Sequence, residues 1–255
     1  MRNAILMSAA MLVLTGCGQP GNENTDAATT PGKKSTITAR GDHVDTYFGV
    51  EVPDPYRWLE DDLSRDTANW IAQQNASTRS YIDAISLRDD VKSTVARLLN
   101  FERETAPFIE GGKRYFYRNS GLQNQRVLYR IEDDGSETVF LDPNTFSEDG
   151  TVSMSSVSFS EDGSLVAYQL SEGGSDWRSI VIRDVATGDV LESPLVDVKF
   201  SGINWLGNDG FFYSSYDKPD GSELSAKTDQ HKLYFHALGT PQSSDSVIFG
   251  STADD

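Results

Sequence analysis

The sequence predicts a mainly β fold, an incomplete β-propeller of about three blades behind a helical segment. Three observations lead there. From about Lys113 onward the hydrophobic period is two, in short runs rich in Tyr, Phe, Val and Ile broken by Asp-Gly turns. The runs fall into three sets of the same internal order, with corresponding aromatics recurring about every 45 to 50 residues. Before Lys113 the apolar period is helical, so the chain changes architecture once.

The chain begins with a segment of another kind. Arg2 supplies a positive charge, and Ala4 to Leu14 form an apolar run too short to span a bilayer. Leu14-Thr15-Gly16-Cys17 resembles a bacterial lipobox. Residues 1–17 are thus expected to be a lipoprotein signal peptide, with Cys17 the acylated residue; an ordinary signal peptide with an incidental Cys17 is the alternative. Acyl chains alone would then hold the protein at a membrane of the bacterial cell envelope, on its periplasmic or extracytoplasmic side. Cys17 is the only cysteine, so neither an intrachain disulfide nor a cysteine zinc site is available. Residues 18–40, rich in Gly, Asn, Thr and Pro, read as a flexible tether.

Residues 41–107 read as a separate segment. Thr46 to Val52 alternates enough for one short strand, which Pro53-Asp54-Pro55 stops. Asp66 is the expected N-cap of a helix that places Trp70, Ile71, Gln74, Tyr81, Ile82 and Ile85 on one side. A second helix starts near Arg88-Asp89-Asp90 and repeats Val91, Val95, Leu98 and Leu99, its first-turn carboxylates favouring the helix dipole.

Residues 108–255 carry the blades. The first set is Phe116-Tyr117, Val127 to Tyr129 and Thr138 to Leu141. The second is Val157 to Phe159, Leu165 to Tyr168, Ile180 to Ile182 and Val190-Leu191. The third is Ile203 to Trp205, Phe211 to Tyr213, Lys232 to Phe235 and Val247 to Phe249. Glu161-Asp162-Gly163, Ala186 to Asp189 and Asn208-Asp209-Gly210 supply reversals in which Gly or Asn takes a positive φ. Closed propellers need about four to eight blades, so about three leave an unpaired flank and the polypeptide is expected to be incomplete.

The formal net charge of -17 argues against nucleic acid or anionic lipid headgroups as partners, since phosphates are repelled. The chain resembles the prolyl oligopeptidase family of serine peptidases in six places, in the family's order. Asp54 to Asp61 (DPYRWLED) is similar to its signature near the start, and Tyr115 to Tyr129 (YFYRNSGLQNQRVLY) to its first blade. Leu141 to Asn144, Phe159 to Gly163, Gly174 to Trp177 and Lys232 to His236 follow. The resemblance implies a seven-bladed propeller inserted into an α/β-hydrolase domain, on which residues 41–107 pack. It implies cleavage of short peptides after proline by a Ser-Asp-His triad located after the propeller, hence outside this chain. The propeller would screen substrates by size, and no cofactor is implied.

The residues themselves offer no catalytic set. Gly173-Gly174-Ser175-Asp176-Trp177 lacks the glycine after the serine and the following helix that a nucleophile elbow needs. His43 lies by the tether, while His231 and His236 read as exposed or edge-strand residues whose i, i+5 spacing points them to opposite faces. Glu60-Asp61-Asp62 lacks the alternating spacing of a calcium loop. Arg40-Gly41-Asp42 is a triplet that chance supplies. No catalytic, cofactor or metal residue is therefore assigned, and the fragment is expected to be inactive. The competing class is a non-catalytic propeller lipoprotein that binds peptides or partner proteins.

Overall fold

A computed structural model of the chain describes residues 37–217 and 228–250. Cys17, the signal peptide and almost all of the tether lie outside the described residues.

The first structured element is a hairpin, β1 (Val44–Tyr47) paired antiparallel with β2 (Val50–Pro53). The single strand expected over Thr46 to Val52 is thus two. The alternation conceals a two-residue reversal in which Phe48 and Gly49 take φ of 52° and 82°, a turn that costs glycine little and phenylalanine more. A 3-10 turn over Arg57–Glu60 leads to helix α1 (Arg65–Asp83). Its cap is Ser64, not Asp66: the Ser64 hydroxyl accepts from the Thr67 backbone N–H at 3.1 Å, and Asp66 stands inside the first turn. Helix α2 (Arg88–Leu99) follows. Neither helix buries its apolar stripe here. Val91, Val95, Leu98 and Leu99 are all well exposed, and α1 buries only Thr67.

Three sheets follow. The first contains β5 (Lys113–Asn119), β6 (Val127–Ile131) and β7 (Glu137–Leu141). Two short strands the sequence did not suggest, β3 (Arg103–Glu104) and β4 (Phe108–Glu110), share one edge of β5. Pro107 interrupts that edge because it has no N–H to donate; Thr105 restores the ladder, its Oγ1 accepting from Tyr117 N–H at 3.0 Å. The second sheet is a meander of β8 (Val152–Phe159), β9 (Leu165–Glu172), β10 (Trp177–Asp184) and β11 (Leu195–Lys199). Its last strand is not Val190-Leu191. Both are half exposed and Val190 makes only an isolated bridge to Arg183, whereas Leu195 and Val198 are fully buried. The third sheet runs β12 (Asn204–Leu206), β13 (Gly210–Ser215), β14 (Lys232–Ala237) and β15 (Ser246–Phe249).

The middle sheet shows why this region reads as nearly continuous hydrophobics. Its residues alternate between two interfaces, as the period of a strand demands. Ala167, Ile180 and Ile182 join Leu195, Val198, Phe211 and Tyr213 on the side of the third sheet. Tyr168 and Val181 join Tyr115, Leu128 and Leu141 on the side of the first. Fully burying such a side chain contributes about 1.5–3 kcal/mol.

Backbone also meets backbone. Gly111, in the β4–β5 turn, lies against Gly163, in the β8–β9 turn, so closely that a Cβ on Gly163 would fall 2.3 Å from the Gly111 Cα. At the β12–β13 turn the positive φ belongs to Gly207, not Gly210. Gly210 is required for another reason, since a Cβ there would meet the His236 carbonyl oxygen at 2.0 Å.

Candidate functional site

The residues singled out by sequence do not converge. Ser175 stands in the β9–β10 loop, its hydroxyl accepting from Trp177 N–H at 3.1 Å. His43 pairs with Asp45 at 3.1 Å beside β1, and His231 stacks on Tyr216 with ring centroids 4.5 Å apart. Glu60 is bonded to Arg57 at 2.9 Å, and Gly41 is tied to Pro55 through its backbone N–H at 2.8 Å. Among the described residues no group of three or more His, Cys, Asp or Glu is arranged to hold a metal, and no helix is long and apolar enough to cross a membrane.

His236 departs from expectation. It is neither exposed nor at an edge: β14 lies between β13 and β15, and the ring is 1% accessible. Its Nε2 is 2.7 Å from Glu192 Oε1, and its Nδ1 is 2.8 Å from Asp245 Oδ1. Glu192 comes from the β10–β11 connection and Asp245 from the β14–β15 turn, so the ring bridges the second and third sheets. The other oxygen of each carboxylate is also engaged. Gly239 N–H donates to Glu192 Oε2 at 2.8 Å, and the Tyr213 hydroxyl donates to Asp245 Oδ2 at 2.7 Å. Burial, reinforced by the bond to Asp245, pushes the Tyr213 phenol well above its ordinary value. Beside this cluster Gln242 behaves like a strand residue: its amide oxygen accepts from Val196 N–H at 3.0 Å and its NH2 donates to Val196 O at 2.8 Å. The sequence held no cue to the cluster, since Glu192 lies 44 residues from His236 in loop sequence without periodicity.

Chemically this arrangement binds; it does not attack. Both ring nitrogens of His236 are committed to carboxylates, which leaves none to take a proton from a serine.

Two clefts remain. One of about 340 Å³ lies where the first and second sheets meet, among Tyr117, Gln125, Arg126, Met154, Ser155 and Ser156. Gln125 spans that seam, donating to Val152 O and accepting from Met154 N–H, each at 2.8 Å. Ser156 has φ of 48° at a break in the β8–β9 register, which turns the strand at the cleft wall. The second cleft, about 720 Å³, lies in the N-terminal segment beside Trp58 and Trp70. Their indole N–H groups donate to Ala39 O and Thr38 Oγ1, each at 3.0 Å.

Known proteins give this architecture its context. Residues 36–255 match the family model of the prolyl oligopeptidase N-terminal beta-propeller domain. A prolyl endopeptidase of Elizabethkingia meningoseptica is 55% identical over 214 residues, which cover 84% of this chain and 30% of that protein. Prolyl oligopeptidase A of Amanita bisporigera is 35% identical over 243 residues. Among solved structures, prolyl oligopeptidase B of Galerina marginata bound to a 25mer macrocyclization substrate superposes with a TM-score of 0.69 at 30% identity, covering 85% of this chain and 34% of that one. One from a study of two prolyl endopeptidases superposes with a TM-score of 0.71 at 30% identity, covering 83% and 32%. The chain therefore spans about a third of the length of the relatives it matches. On these grounds the chain belongs to the prolyl oligopeptidase family and carries its N-terminal β-propeller portion.

Proposed function

We propose that this chain is the front portion of a lipid-anchored serine endopeptidase of the bacterial envelope that hydrolyses short peptides after proline. The blades roof the active site and admit substrates by size, the Ser-Asp-His triad lies in polypeptide beyond these residues, and no cofactor takes part. The observation that carries this reading is the extended alignment with prolyl endopeptidases. The helices support it. The α2 stripe Val91, Val95, Leu98 and Leu99 faces solvent here, and such a stripe needs a partner surface of the kind a peptidase domain provides. The contribution of these residues is then to bind, orient and shield. A covered site excludes bulk water and strengthens every electrostatic contact made inside it.

The test is an assay of the full-length protein and of residues 18–255 on a chromogenic Gly-Pro peptide. The full-length protein is expected to turn it over and to be blocked by serine-directed inhibitors, while residues 18–255 are expected to be inert. Turnover by residues 18–255 overturns the location of the triad. A reading frame past Asp255 without a Gly-x-Ser-x-Gly elbow, together with an inert full-length protein, overturns the peptidase. Mass spectrometry of the mature amino terminus checks the anchor independently; an unmodified start beyond Cys17 removes it.

A further inference from the structure

The cleft between the first and second sheets carries a charge that nothing around it answers. Arg126 stands in its wall, exposed, and no ion pair engages it among the described residues. No carboxylate lines the cleft, in a chain whose formal net charge is -17. Two acids of the neighbouring β7–β8 connection are turned to their own loop. Asp142 Oδ1 accepts from Asn144 N–H at 2.9 Å, and Asp149 Oδ1 accepts from Thr151 N–H at 3.0 Å. The wall itself is fixed. Gln125 N–H donates to Asn144 Oδ1 at 3.0 Å, Asn144 Nδ2 donates back to Gln125 O at 3.1 Å, and the Gln125 side chain is bonded to β8. Arg126 is therefore carried on a locked neighbour. Ser155 Oγ accepts from Arg178 Nη1 at 2.6 Å, which leaves its own proton to donate. Pro143, Met154 and Val157 add apolar surface. At about 340 Å³ the space falls within the range of clefts that hold small ligands, about 300–1,000 Å³.

The cleft lies at the end of the sheets where the helical segment joins. Asn100, which caps α2, rests on Gly121 of the β5–β6 connection, so closely that a Cβ there would fall 2.3 Å from Asn100 Oδ1. β3 then pairs Arg103 with Asn119, the last residue of β5. Arg126 belongs to that same β5–β6 connection. With a peptidase domain on the α2 stripe, as proposed above, the cleft stands beside the junction that encloses the substrate.

We propose that this cleft receives the free C-terminal carboxylate of a short peptide, with Arg126 as its counter-ion and the last side chain against Pro143, Met154 and Val157. This role rests on the peptidase reading, and it makes the blades a reader of chain ends as well as a roof. A guanidinium is a planar fork that meets a carboxylate through two parallel hydrogen bonds. An acidic surface repels anions at large, so an unanswered guanidinium in a wall without acids marks where one is accepted. A chain end fits better than an acidic side chain for a geometric reason. The last residue presents a carboxylate and an apolar side chain from one carbon atom, and the cleft offers a cation and an apolar wall together.

The experiment is calorimetric titration of the full-length protein with N-acetylated tetrapeptides that lack proline and end in leucine. The free acid is expected to bind about tenfold more tightly than the carboxamide, the gain of a charge-assisted pair. Arg126→Gln is expected to erase that preference and leave the amide's affinity unchanged. Arg126→Lys, a cation without the planar fork, is expected to retain part of it. Glycine in place of the terminal leucine is expected to weaken the free acid by about threefold or more. An amidated peptide with an internal aspartate is expected to bind no better than the plain amide. No binding of the acid, equal binding of acid and amide, a preference that survives in Arg126→Gln, or full recovery by the internal aspartate overturns the proposal. Turnover of a Gly-Pro peptide by the same preparation reports on the peptidase separately. Turnover without acid preference removes the carboxylate site alone, and acid preference without turnover removes the peptidase reading alone.

Discussion

Asp162 shows how much a single turn residue can hold. Its Oδ1 accepts from Ser164 N–H at 2.8 Å and from Ser160 Oγ at 3.0 Å. The backbone bond from Ser164, followed by the Ser164 and Asn208 side chains, holds its carboxyl down at about 2. Because the folded value lies below the unfolded one, about 3.9, the ionised carboxylate contributes stability above that value and loses it as pH falls toward about 2. Asp162→Asn keeps an accepting oxygen and removes the charge. Denaturant titrations over a pH series are expected to show a constant gap between wild type and variant at neutral pH that closes on acidification; a gap independent of pH contradicts this. Turn residues such as Asp162 and Gly163 were legible because a tight reversal restricts the residue types that fit it. His236 was not: its role comes from carboxylates on two distant loops, and no local spacing encodes such a meeting.

Elements are readable where one local rule dominates and misleading where two compete. Helix α2 follows its apolar repeat, so its start at Arg88 is plain in the sequence. For α1 two candidates, Ser64 and Asp66, satisfy the preference for a capping side chain, and only the backbone decides. Ser64 has extended φ and ψ of -73° and 146°, the conformation of a cap, while Asp66 is helical. Ser64→Ala is therefore expected to cost about 1 kcal/mol in chemical denaturation, and Asp66→Ala clearly less. Equal losses contradict the assignment. The last strand of the second sheet was misread for a related reason. Val190-Leu191 is as β-prone as Leu195 to Lys199, but only the latter reaches the third sheet and loses its water.

For the molecule as a whole, the three-sheet meander and its order follow from a repeating period, and that much was legible. What the apolar surfaces meet was not. Phe212 and Phe235 pair at 5.0 Å on the third sheet, in register opposite the face that carries Phe211 and Tyr213, and Val247, Ile248 and Phe249 are exposed beside them. Residues 37–255 expressed alone are accordingly expected to bind a hydrophobic dye such as ANS strongly, and the full-length protein only weakly. Equal dye binding by both contradicts the view that further polypeptide covers these faces. At the other seam the Gly111–Gly163 contact has a consequence for how such a protein can change over time. Where side chains separate two layers, their spacing drifts as one methyl replaces another. Here main chain rests on main chain, so that spacing has no adjustable shim, and inserting a residue into either hairpin must prise the layers apart or be rejected. These two turns must keep their length together.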